Sequence, residues 1–84
     1  MHRTSARFWD CFNSLPEQVQ EIARKNYQLL ERNPRHPSLR FKKLGKLWSV
    51  RVGGNYRALA MEDGTGYIWV WIGSHEEYER LIRD

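Results

Sequence analysis

The 84-residue chain has a single cysteine, Cys11, so no internal disulfide can staple it. Nothing in its cysteine usage points to an oxidising compartment. It has no apolar run approaching the ~20 residues of a membrane helix and no signal-peptide core. Repeats and low-complexity tracts are also missing. His2, His36 and His75 stand far apart, and with one cysteine no pair has metal-ligand spacing, so neither a metal nor a cofactor is expected. A Ser-His-Asp hydrolase would lack its nucleophile turn, and a P-loop its glycines and lysine. These exclusions leave a cytoplasmic protein as the expectation, with one domain over residues 1–84 burying ~60–65% of its unfolded surface. Four Trp, four Tyr and three Phe suit so small a core, because each buries a large area.

Acid is missing from the middle of the chain. Between Arg32 and Met61 stand eight basic residues (Arg32, Arg35, Arg40, Lys42, Lys43, Lys46, Arg51 and Arg57) and no Asp or Glu, whereas the remainder holds six basic and ten acidic residues. The overall charge of +4 hides that asymmetry. A positive half favours a polyanionic partner, nucleic acid or an acidic protein segment, over a merely solvated surface.

The same region carries the strand pattern. Leu47–Val52, Tyr56–Met61 and Tyr67–Ile72 are β-rich runs separated by Gly, Asn and Asp clusters, which predicts an antiparallel meander. A three-residue loop, Gly53-Gly54-Asn55, pairs Val52 with Tyr56 and Arg51 with Arg57. Alternation then places both arginines on one face with Ser49, Leu59 and Met61, opposite Trp48, Val50, Val52, Ala58 and Ala60. If Met61 pairs with Tyr67, then Tyr67, Trp69 and Trp71 join the arginine face, and Ile68, Val70 and Ile72 the aliphatic one. Ser38–Leu44 alternates loosely and reads as a further strand.

Helices flank these strands. Thr4 or Ser5 can cap a first helix bearing Phe8, Cys11, Phe12 and Leu15 on one stripe. Pro16 suits the start of a second, which runs to about Arg32 with Val19, Ile22, Ala23, Tyr27 and Leu30 inward. The short break between them predicts an antiparallel hairpin. Asn33-Pro34-Arg35-His36-Pro37 is a loop. Ser74 and Glu77 form a capping box for a last helix, His75–Arg83. The expected fold is α+β: an N-terminal helical hairpin packed on an antiparallel sheet, with a short C-terminal helix.

Leu15-Pro16, Asn33-Pro34, Ser38-Leu39-Arg40-Phe41-Lys42, Ser49-Val50-Arg51-Val52-Gly53, Tyr56-Arg57-Ala58-Leu59 and Trp71-Ile72-Gly73-Ser74-His75-Glu76-Glu77-Tyr78 together resemble the RelE/ParE toxin superfamily, from about Phe8 to Leu81 and in the family's order. The resemblance implies the toxin of a bacterial type II toxin–antitoxin module, with a cognate antitoxin as partner. It further implies either metal-independent, ribosome-dependent mRNA cleavage, with ribosome and mRNA as partners, or inhibition of DNA gyrase without nuclease chemistry. For the nuclease, the RNA 2′-OH is the nucleophile. Arg57 matches the arginine that RelE-type enzymes set on the scissile phosphate, and Arg51 a basic residue on the neighbouring strand. His75 and Tyr78 lie near the C-terminal positions that carry Arg or His and Tyr in relatives. Arg40, Lys42, Lys43 and Lys46 are the expected RNA-binding cations. The sequence departs from the pattern at Ser49, where RelE itself has a lysine, and in an N-terminal strand reduced to at most Met1–Thr4. A degenerate toxin that only binds its antitoxin is a third possibility. The expectation places an acidic antitoxin segment on the arginine face.

Overall fold

In the computed structural model, which describes residues 2–83, the chain runs β1 (His2–Thr4), α1 (Ala6–Asn13), α2 (Glu17–Arg32), β2 (Lys42–Leu44), β3 (Leu47–Val52), β4 (Tyr56–Asp63), β5 (Gly66–Ser74) and α3 (His75–Arg83). Met1, the first residue of the expected N-terminal extension, lies outside the described residues. The five strands form one sheet in the order β1-β5-β4-β3-β2. Four of them are antiparallel, as expected. The edge strand β1 lies within the expected Met1–Thr4 and pairs parallel to β5, a direction that the polar His2, Arg3 and Thr4 did not signal.

The helical hairpin forms for local reasons. The Ser5 hydroxyl accepts from the Phe8 N–H at 3.1 Å and opens α1, while Pro16 precedes α2. Gln20 Nε2 reaches back to the carbonyls of Phe12 and Leu15, each at 3.1 Å, which ties the turn to the second helix. Phe12 and Leu30 project from the hairpin into a core with Leu39, Val50, Val52, Ala58, Ala60, Trp69 and Ile72. This is the expected arrangement for the β3 and β4 positions. Trp48 also stands on this side, against Phe41 and Tyr67 with ring centroids 4.8 and 5.4 Å away.

The β5 register differs from the expectation. Gly64 and Thr65 make a two-residue turn, Gly64 at φ +63° supplying the left-handed step, so that Asp63 pairs with Gly66 and Met61 with Ile68 rather than Tyr67. That one-residue shift sends Tyr67 and Trp69 to the core face and Ile68 to the other. A bulge then restores the phase. Ala60 pairs with Trp69 and Leu59 with Trp71, leaving Val70 as the extra residue. Trp71 and Ile72 end on the expected faces, whereas Ile68 and Val70 are only half-buried. The bulge leaves Trp69 in the core at 3% exposure and turns Ile72, also at 3%, inward, where an uninterrupted strand would have turned Trp71 inward and Ile72 outward.

The strand expected over Ser38–Leu44 shortens to Lys42–Leu44. Residues 37–39 turn, and Arg40 takes φ +46°, so the chain leaves the ladder there. Leu39 is completely buried, and its carbonyl accepts from the Arg51 N–H at 2.7 Å. Burying Leu39 in the core competes with extending the strand, and the burial wins.

Candidate functional site

The β3–β4 turn sets the site. With Gly53 at φ +63° in a three-residue loop, Val52 pairs with Tyr56 and Arg51 with Arg57, so the two arginines lie side by side away from the hairpin. Burial first, then the like charge of Arg51, lowers the pKa of Arg57 from its ordinary guanidinium value. Tyr78 and Glu79 act in the opposite direction and Arg40 in the same one. Those neighbours define the cluster: three arginines from β3, β4 and the segment before β2, with two side chains of α3 beside them. Arg57 Nη1 donates to the carbonyls of Tyr56 at 2.7 Å and Gly54 at 3.3 Å, which fixes the guanidinium over the turn. Arg51 Nε is buried and, among the described residues, has no hydrogen-bond partner.

Helix α3 reaches this face through its cap. Glu77 N–H donates to Ser74 Oγ and Ser74 N–H to Glu77 Oε1, each at 3.2 Å, which is the expected capping box. The His75 N–H donates to the Asn55 carbonyl at 2.8 Å and ties the helix start to the β3–β4 turn. His75 and Tyr78 stack with ring centroids 6.0 Å apart; Tyr78 is buried, whereas the His75 side chain is 44% exposed. His75 Nε2 lies 3.1 Å from Glu79 Oε1, a pairing that the i, i+4 spacing could have disclosed.

The four cations expected to bind RNA do not share one surface. Lys42 pairs with Ser49 and belongs to the arginine face. Lys43 pairs with Trp48, on the opposite face, and its Nζ lies 3.3 Å from Glu62 Oε2. The alternation that separates neighbouring residues in a strand removes Lys43 from the patch. Lys46 sits in the two-residue turn between β2 and β3. Arg40 falls opposite Arg51 when the β2–β3 register is extended, although the ladder ends before it.

A second concavity, of about 370 Å³, opens between the hairpin and the sheet and is lined by Phe8, Phe12, Tyr27, Val50, Trp69 and Ile72 among others. Its apolar walls suit an apolar group, not a phosphate backbone; the arginine side is the one whose charge suits an anion. Among the described residues no three His, Cys, Asp or Glu side chains gather as metal ligands would, and no helix is long and apolar enough to cross a membrane.

The model of the family described as ParE-like toxin domain matches residues 17–80, which span α2 to most of α3. No curated protein matches. Among solved structures, the chain is similar to the RelB-RelE antitoxin-toxin complex from Methanococcus jannaschii, with 14% identity, 94% of this chain and 96% of that chain covered, and a TM-score of 0.73. YafQ from E. coli gives 10% identity, coverage of 93% and 96%, and a TM-score of 0.73. The toxin-antitoxin complex RelBE2 from Mycobacterium tuberculosis gives 18%, 89% and 96%, and 0.67. At such identities the structural likeness establishes the fold.

Proposed function

This chain belongs to the ParE-like toxin domain family, within the RelE/ParE superfamily of toxin–antitoxin toxins, and we propose that it is a metal-independent endoribonuclease that cleaves mRNA on the ribosome. One observation carries the reading: Arg51 and Arg57 pair across two strands on the face that Tyr78 of α3 approaches, with Arg40 beside them. In the reaction the RNA 2′-oxygen bonds to phosphorus as the P–O5′ bond breaks. The 2′-OH proton leaves to a base, and the 5′-oxygen gains one. Arg57, with Arg51 assisting, stabilises the charge that grows on the non-bridging oxygens. Guanidinium cannot serve as the base near neutral pH, so His75 and Tyr78 are assigned the proton transfers. Arg40, Lys42 and Lys46 are assigned to the RNA backbone, and Lys43 is withdrawn from that set.

The proposed partner besides ribosome and mRNA is a cognate antitoxin, because two of the similar structures are described as antitoxin-toxin complexes. An acidic segment of it would cover the arginine face, complementing the acid-free stretch from Arg32 to Met61. The proposed compartment is the cytoplasm, where such substrates lie.

A second reading, gyrase inhibition without nuclease chemistry, draws on the ParE name of the matched family and on the Arg57 contacts with backbone carbonyls, which are a structural use of that side chain. Mapping mRNA 5′ ends after induction separates the two. New ends inside translated codons support the nuclease; their absence, with loss of supercoiling activity in a gyrase assay, replaces it.

A further inference from the structure

We infer that Glu79 is a positioning residue for His75, holding the Nε2 side of the imidazole so that Nδ1 meets the substrate as the base for the 2′-OH proton. The inference rests on the nuclease reading above and adds a residue to it. Glu79 Oε1 stands 3.1 Å from His75 Nε2, one helical turn along α3. The ring is held further by its stack on Tyr78, and its backbone by the bond from His75 N–H to the Asn55 carbonyl. The carboxylate of Glu79 faces the ring at the moment it takes the proton.

The charged and titratable groups around His75 fit this division of labour. From its own helix come Tyr78 and Glu79, with Glu77 committed to the Ser74 cap. From β4 comes Arg57, backed by Arg51 of β3 and Arg40; Glu79 is near enough to Arg57 to favour its charged form. Glu79 therefore faces the proton acceptor and lies within electrostatic reach of Arg57. A carboxylate placed there for surface solvation alone would not need His75 to exert its effect.

The test is a double-mutant cycle on the rate of mRNA cleavage in a purified translation system, using the full chain, Glu79→Gln, His75→Ala and the double variant. Each variant is first checked for its melting temperature. Glu79→Gln is expected to slow cleavage about 3- to 10-fold, part of the ~10²–10⁴ that a general base supplies. In the His75→Ala background it is expected to change nothing, because a residue that acts through another has no effect once that one is gone. The loss should fall on kcat with KM unchanged, because Glu79 acts on the base and not on substrate binding. An equal loss in both backgrounds, or a loss confined to KM, overturns the role of Glu79 while leaving the nuclease reading standing. A wild-type chain that cuts no mRNA overturns the nuclease reading itself.

Discussion

Gly73 offers a quantitative check on the geometry of the arginine face. It pairs with Arg57, and a Cβ added to it would lie 2.4 Å from Trp71 Cζ2, 2.9 Å from Trp71 Cη2 and 3.0 Å from Glu77 Oε1. The first two atoms belong to a rigid ring, so the indole must swing away or the strand must shift. The third belongs to the capping box of α3. Overpacking of this sort costs about 1–3 kcal/mol, and disturbing a cap adds about 1 kcal/mol. The gain from replacing a strand glycine, roughly 0.5–1 kcal/mol, offsets part of that. A net loss of about 2 kcal/mol lowers the melting temperature of a domain this size by roughly 8–16 °C. Gly54→Ala is the control, because a methyl there meets no atom within 4 Å. Both variants are to be melted by circular dichroism, with tryptophan fluorescence reporting the environment of Trp71. Equal melting temperatures for Gly73→Ala and Gly54→Ala would refute the packing of Trp71 and α3 on this face.

Arg57→Ala is expected to reduce mRNA cleavage by ~10²–10³ while antitoxin binding weakens but persists, measured by primer extension and by co-purification. Full toxicity of a folded Arg57→Ala chain would move gyrase inhibition ahead. Lys42→Ala should weaken RNA binding and reduce its salt dependence, whereas Lys43→Ala should leave both nearly unchanged, because Lys43 faces Glu62 on the other side of the sheet. Arg51→Gln should raise the melting temperature by about 2–5 °C and slow cleavage, since it removes a like-charge pair. Burial, then the positive amino terminus, lowers the pKa of His2, with Glu31 opposing; neutral His2 Nδ1 accepts from Trp69 Nε1 at 3.1 Å. The folded chain therefore takes up that proton less readily than the unfolded one, so stability should fall as pH drops through the histidine range. In His2→Gln the fall should be shallower in calorimetric melts.

The features legible in the sequence were those with a local cause. The three-residue loop 53–55 determines the Arg51–Arg57 pairing outright, and the Ser74–Glu77 spacing determines where α3 begins. The β5 register was not legible in this way. Whether Met61 meets Tyr67 or Ile68 depends on how many residues turn, and Asp63-Gly64-Thr65-Gly66 admits more than one answer. The bulge at Val70 decides whether Trp71 or Ile72 joins Trp69 in the core, a packing choice that periodicity does not contain. Lys43 was misplaced for a related reason. Charge composition counts cations along the chain, whereas a strand deals them alternately to two faces. The three-residue β1 falls within the expected Met1–Thr4, but its parallel pairing with β5 was not legible, because that pairing is supplied by the partner strand and not by its own pattern.

Three unfavourable features meet on the arginine face, and their coincidence carries the functional argument further than any one of them. Directly opposed like charges destabilise an antiparallel pair, yet Arg51 faces Arg57. A buried donor without a partner costs free energy, yet Arg51 Nε has none among the described residues. A left-handed backbone is strained for a side chain like arginine, yet Arg40 holds φ +46° next to both. A fold selected for stability alone has simple remedies for each: a neutral residue at 51, a glycine at 40, an acid somewhere between Arg32 and Met61. None of these is present. Glu79 of α3, whose charge favours the charged form of Arg57, has its carboxylate on His75 Nε2. An anion arriving from outside would relieve the like-charge repulsion without any rearrangement of the sheet. Fixed charges organised before the anion arrives are what transition-state stabilisation of this kind requires. On the reading proposed above, the stability lost at Arg51 is therefore the counterpart of the rate gained at the phosphate, and Arg51→Gln should move the two in opposite directions.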